Sequence, residues 1–273
     1  MTTEQELFDY LQPVAVGQDR FRGESLPGDH PAIYGGQLMA QVLSVAAATL
    51  PEPRPAHYLQ TSFVSFGDPS TDLEFEVTRV RDGRSTSHRQ VEVKQGDRTL
   101  LVGSLSFQPQ DDGYDHQLPR PDMRGPEELE GDSANYISFA SPEGDFPFLI
   151  MECGTASDSL DPISSIWARP RMPVPADNHL HQMLFAFLSD ATILQSSLQP
   201  HALDWETSDL FIATMNHSIW FHRPLDINGW LLLHGHSPST SHGRALSIAD
   251  AWDSRGGLVA TVAQEGILRH NKS

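Results

Sequence analysis

The sequence predicts an α+β fold built from two copies of one unit, in which an antiparallel sheet curls around a long apolar helix. Three observations carry this prediction. Tyr34 to Leu50 and Asp177 to Leu194 are apolar at helical spacing. Around them lie segments that alternate apolar and polar residues, such as Leu73-Phe75-Val77 and Val91-Val93, with hairpin signals such as Asp82-Gly83 between them. The two halves also overlay. Thr61-Ser62-Phe63 falls on His217-Ser218-Ile219, Gly83-Arg84 on Gly243-Arg244, and Leu101-Val102-Gly103 on Leu258-Val259-Ala260. That period is far too long for a solenoid.

Glu4 to Leu11 reads as a short helix stopped by Pro13, and Asp19 to Glu24 as a strand. Tyr34-Gly35-Gly36-Gln37 opens the first long helix, and paired glycines there bring backbone N–H groups to a helix start that stabilises negative charge. A tight loop that lets the helix pack closely is the equally simple reading. Four strands follow, at His57 to Phe66, Asp72 to Val80, Ser85 to Lys94 and Leu100 to Gln108. Gln110 to Ser133, with its prolines and its acidic cluster Glu127, Glu128 and Glu130, reads as a solvated linker. Strands are expected at Phe148 to Cys153 and Ile163 to Arg171, before the second long helix. Four more are expected at Leu210 to Phe221, Trp230 to His236, Ala245 to Asp253 and Leu258 to Leu268.

Composition narrows the function. A formal net charge of −18 over 273 residues argues against nucleic acid or an anionic membrane surface as the main partner. Cys153 is the single cysteine, so no disulfide forms within the chain, which fits a reducing, cytoplasmic setting. No apolar run approaches the roughly 20 residues of a membrane span. The start lacks the basic-then-apolar pattern of a signal peptide, and the end lacks the Ser-Lys-Leu peroxisomal address.

Three polar residues stand among apolar ones. Asp190 is expected in the middle of the second long helix, three residues after Phe187 and four before Leu194, on its apolar stripe. A lone buried carboxylate favours its protonated form, which makes Asp190 a candidate general base. An Asp near a helix end, facing water, is the other reading. Gln264 lies where the first copy has Phe107, and Thr214 sits within Phe211-Ile212-Ala213-Thr214-Met215. An acid, a hydroxyl and an amide converging from three elements can hold one water, which the acid deprotonates while the others orient it. Taken singly, Thr is a good strand former and a lone Gln in a strand commonly faces solvent. No Gly-x-Ser-x-Gly elbow, HExxH, CxxC, phosphate-loop or dinucleotide fingerprint occurs, so neither a metal nor a cofactor is expected. Cys153 reads as a buried thiol.

Tyr34-Gly35-Gly36-Gln37, the hairpin Thr78 to Ser85, Leu188-Ser189-Asp190, and above all IATMNHSIWFHRP (Ile212 to Pro224) and LVATVAQEGILR (Leu258 to Arg269) closely resemble the acyl-CoA thioesterase II family. The resemblance covers nearly the whole chain, in order and at matching spacing. It implies a double hotdog fold, with hotdog halves at 1–109 and 136–273 and a linker at 110–135. It implies hydrolysis of fatty acyl-CoA to free fatty acid and coenzyme A, with the family's Asp, Thr and Gln on Asp190, Thr214 and Gln264. One departure is Asn216, where the family commonly has Asp before His-Ser. Gly35 and Gly36 are candidates to hold the oxyanion. Arg84, Arg223 and Arg244 are candidates for the coenzyme A phosphates by their places in turns. A homo-oligomer, dimer or tetramer, is expected because sheet edges and faces need covering. The alternatives are a catalytically silent acyl-CoA-binding or regulatory protein of the same fold, and a hydratase or dehydratase of acyl thioesters.

Overall fold

The computed structural model describes residues 4–27, 31–156, 162–205, 207 and 209–270. The expectations placed on the extreme ends, residues 1–3 and 271–273, lie outside them. In chain order the elements begin with α1 (Glu4–Leu11), β1 (Val14–Gly17), β2 (Arg20–Gly23), α2 (Gly35–Ala48), β3 (Ala56–Phe63), β4 (Leu73–Asp82), β5 (Ser87–Gln95) and β6 (Arg98–Phe107). There follow α3 (Pro126–Leu129), β7 (Phe148–Ala156), β8 (Ile163–Pro170), α4 (Asn178–Ser189) and α5 (Gln195–Leu198). The chain closes with β9 (Leu210–Phe221), β10 (Leu231–Ser241), β11 (Arg244–Trp252) and β12 (Leu258–His270). No helix among the described residues is long and apolar enough to cross a membrane.

The chain forms two compact units. One comprises Met1–Tyr114, Asp177–Ala191 and Asn216–Phe221, and the other Asp115–Ala176, Thr192–Met215 and His222–Ser273.

In the first unit the antiparallel order is β1-β2-β4-β5-β6-β3, followed by the C-terminal half of β9. Alternation on β5 buries Ser87, Arg89, Val91, Val93 and Gln95, and α2 lies on the inward face of β3 to β6. Gly103 permits that approach, since a Cβ there would stand 2.8 Å from Val42 Cγ1. Arg89 is wholly buried, yet its charge is answered. Its Nη2 donates to Asp82 Oδ1 at 2.8 Å, and its Nε donates to Thr49 Oγ1 at 2.7 Å. It thereby ties β5 to the C-terminal end of α2. The helix α4 also packs in this unit, against α2. Asp177 Oδ1 caps it by accepting from His179 N at 2.8 Å. Gln182 hydrogen-bonds both backbone groups of Ala56, at 3.1 and 2.7 Å, and so docks α4 on the start of β3.

In the second unit the order is β12-β11-β10-β8-β7, all antiparallel, with the N-terminal half of β9 beside β12. One face packs on α5. The opposite face gathers Met151, Cys153, Trp167, Leu232, Trp252 and Leu258 into a cluster closed by Leu129, with Met123 and Tyr136 against it.

Three expectations are corrected. The second long helix does not run to Leu194. It ends at Ser189, with Asp190 as its C-cap, and the chain turns before α5. Ser189 Oγ lies 3.0 Å from Ala186 O, and the Ser-Asp-Ala-Thr run favours such local contacts over helix. The apolar period continues because α5 resumes burial, not because the helix does. Next, the stretch after residue 110 is not a merely solvated linker. Gln117 bonds Gly256 O and Leu258 N at 2.8 and 3.1 Å, Trp167 Nε1 donates to Arg124 O at 2.8 Å, and Leu129 is fully buried. Its acidic residues Glu127 and Glu128 do face water, which is why composition alone hides the docking. Finally, β10 runs past His236 to Ser241 through a register shift, and the all-exposed β1 has no alternation to reveal it.

Leu129→Ala is expected to cost about 2–5 kcal/mol, because it empties a closed apolar site. Glu127→Ala is expected to stay within about 0.5 kcal/mol. Urea unfolding of the two variants checks the contrast.

Candidate active site

In the first unit the end of α4 meets the beginning of α2. Asp190 closes α4, and its side chain is only 7% exposed. A Cβ on Gly35 would stand 2.6 Å from Asp190 Oδ2, and one on Gly36 would stand 2.3 Å from Phe187 O. The two glycines are therefore what allow the helix ends to approach. The N–H groups of Gly35 and Gly36 begin α2 and have no carbonyl one turn back to take them. The carboxylate thus sits at the negative end of one helix and beside the positive end of another. Tyr34 seals the junction. Its hydroxyl donates to Phe187 O at 2.7 Å, and its ring stands edge-on to Phe187 with centroids 4.9 Å apart. Burial, with Asp190 nearby as the lesser cause, pushes the Tyr34 hydroxyl well above its ordinary range, so it stays a donor. The Phe63 ring borders Gly35 at a distance that a Cβ would narrow to 3.1 Å.

His217 completes this group from β9. Its Nδ1 is 3.9 Å from Asp190 Oδ1 and its Nε2 is 3.0 Å from Ser189 Oγ. Burial pulls its pKa from 6.5 down to about 3, so it is neutral. Thr61, the residue that the sequence overlay equates with His217, is its direct partner across the β3–β9 ladder.

In the second unit Gln264 Nε2 donates to Thr214 Oγ1 at 2.7 Å. Gln264 is 1% exposed, on the inward face of β12, so the solvent-facing reading of that residue does not hold. In this bond the Thr214 hydroxyl oxygen is the acceptor and the Gln264 carboxamide the donor. Ser247 stands opposite Gln264 in the β11–β12 ladder, fully buried, and accepts a hydrogen bond from Ser196 at 3.0 Å.

The three arginines are spread out. Arg84 is exposed in the β4–β5 turn. Arg223 donates to Leu258 O at 2.9 Å and pairs with Asp115, and Arg244 pairs with Glu265 at 3.2 Å. Asn216 lies opposite Ser62. Cys153 is buried, and burial pushes its thiol up to about 12, which leaves no thiolate for nucleophilic attack.

Sequence reasoning missed Tyr34 and His217 as groups facing Asp190. The one signal for His217 was its overlay on Thr61, which it indeed faces.

Comparison with known proteins shows the family. Residues 158–267 match the family model described as acyl-CoA thioesterase, and residues 22–108 match the acyl-CoA thioesterase N-terminal domain. Acyl-CoA thioesterase 2 of Haemophilus influenzae is 30% identical over 92% of this chain and 93% of its own. The chain belongs to the acyl-CoA thioesterase II family. Human acyl-coenzyme A thioesterase 8 is 29% identical, over 95% of this chain and 86% of its own. The crystal structure of the acyl-CoA thioesterase II TesB2 from Mycobacterium marinum matches with a TM-score of 0.83 at 29% identity, over 97% of this chain and 99% of that one. The fold of this thioesterase is the double hotdog.

Gly35→Ala is expected to lower thioester turnover about a hundredfold by displacing the Asp190 carboxylate. Thiol release by the folded variant checks this. A second expectation concerns acid stability. The unfolded chain protonates His217 near 6.5 and the folded chain only near 3. Stability due to this residue is therefore fully present above about pH 6.5 and is lost as pH falls, by about 1.4 kcal/mol per pH unit. His217→Gln is expected to flatten that acid limb in urea unfolding followed from pH 7 to 4.

Proposed function

We propose that this acyl-CoA thioester hydrolase cleaves fatty acyl-CoA by direct attack of water, activated by Asp190 and oriented by Thr214 and Gln264. The water oxygen adds to the thioester carbonyl carbon as Asp190 takes its proton. The tetrahedral intermediate then collapses, the C–S bond breaks, and the sulfur leaves as coenzyme A after regaining a proton. The observation that carries this reading is the 2.7 Å bond between Gln264, which is buried, and Thr214, which is half-buried on a strand with apolar neighbours in sequence. A carboxamide and a hydroxyl are groups that can both donate to and accept from a water molecule. General-base help supplies about 10²–10⁴-fold. The N–H groups at the α2 start, Gly35 and Gly36, are suited to the developing oxyanion.

The chain carries −18 formal charges, so the phosphates of coenzyme A need local cations. Arg84, Arg223 and Arg244 are the proposed contacts. Among the described residues no carboxylate pairs with Arg84, whereas the other two are already engaged. The proposal includes a homo-oligomer in the cytoplasm, with the halves 1–109 and 136–273 as its two hotdogs. Neither the fold nor the relatives favour a silent acyl-CoA-binding protein.

Asp190→Asn is expected to lower kcat by about 10²–10⁴-fold with the fold intact. Thr214→Val is expected to lower kcat as well. Thiol release across acyl-CoA chain lengths measures both, and near-normal turnover by Asp190→Asn would refute the scheme. Hydroxylamine is expected to trap no acyl-enzyme.

A further inference from the structure

We propose that His217 is a positioning residue for Asp190, with its Nδ1–H aimed at one carboxylate oxygen while Ser189 holds its other ring nitrogen. This inference rests on the reading of Asp190 as the general base, and it adds a residue that the Asp-Thr-Gln set does not contain.

The geometry is built for it. His217 is fully buried, and its backbone carbonyl accepts from Thr61 Oγ1 at 3.3 Å, which steadies the strand beneath the ring. Ser189 and Asp190 are consecutive, so one imidazole reads both across the end of α4. Nε2 lies 3.0 Å from Ser189 Oγ and Nδ1 lies 3.9 Å from Asp190 Oδ1. Among the described residues Nδ1 has no hydrogen-bond partner. A buried polar atom without a bond needs a reason, and here the nearest one is the carboxylate. At 3.9 Å the contact is electrostatic rather than a hydrogen bond.

Proton counting leaves two tautomers. Ser189 has one hydroxyl proton and two acceptors in reach, Ala186 O at 3.0 Å and His217 Nε2 at 3.0 Å. If the ring carries its proton on Nε2, the Nδ1 lone pair faces an anion in a dry site and repels it. If the proton is on Nδ1, the N–H dipole attracts the anion and Ser189 donates to Nε2. Low dielectric favours the second arrangement. The ring is neutral because it is buried. Asp190 faces it from α4. Tyr34 lies beside the same carboxylate at the head of α2, and its hydroxyl stays protonated and turned to Phe187 O.

The consequence concerns the carboxylate plane. Rotation about the terminal bond of an aspartate is soft. Here Oδ2 faces Gly35 and Oδ1 faces His217. Crowding at Oδ2 and attraction at Oδ1 then bias that rotation toward one orientation of the lone pair that receives the proton of water.

Two substitutions separate the ring nitrogens, since asparagine places its amide near Nδ1 and glutamine places its amide near Nε2. His217→Gln is expected to lower kcat about ten- to a hundredfold with KM within about threefold, and His217→Asn is expected to recover most of that loss. In the Asp190→Asn background neither change is expected to lower the residual rate further. Nitrogen-15 NMR of the full chain is expected to show a neutral His217 protonated on Nδ1. Wild-type kcat in His217→Gln, no advantage of His217→Asn over it, or a proton on Nε2 would each overturn the role while leaving Asp190 as base. Near-normal turnover of Asp190→Asn alone overturns the base itself, and this role with it.

Discussion

The absence of a side chain at Gly35 and Gly36 is the constraint on which the described site depends. Any Cβ there would collide with Asp190 Oδ2 or with Phe187 O. Bare backbone lets the positive start of α2 stand against the negative end of α4, and the carboxylate occupies that junction. Tyr34 and His217 then close around it, one through a hydroxyl bonded to the α4 backbone and the other through a buried imidazole. The positive start of α2 opposes the unfavourable negative end of α4 at this carboxylate.

The same rule governs the other buried polar groups. Gln264 donates to Thr214, Ser196 donates to Ser247, and Arg89 is met by Asp82 and Thr49. Burial of such groups is tolerated only where partners stand ready. They also point to where the interior has a use beyond packing. The apolar remainder, such as the cluster around Trp167 and Trp252, supplies cohesion and little specificity. That cluster depends in turn on Met123 and Leu129, carried by the segment whose composition suggests solvent.

The strands were legible because each buries one face, and a half-buried strand must alternate. Leu210 to Phe221 was read to the residue, and Glu4 to Leu11 likewise. Strand β1 was not legible, since all four of its residues are exposed. The end of α4 was misread because burial continues past it while the hydrogen-bond ladder does not. Thr214 and Gln264 were found as polar residues among apolar ones, and they are joined. His217 escaped notice because a histidine in a strand has no periodic signature that separates support from packing.

Local order came from the chain itself: which segments are helix or strand, that one unit is repeated, and which polar residues break an apolar pattern. Those features depend on neighbours within a few positions, where spacing and side-chain shape decide. Contacts between residues far apart in sequence could not be read that way. The pairing of Gly35 with Asp190, of Asp190 with His217, and of Leu129 with Trp167 arises from packing, and packing selects partners by shape and charge in space.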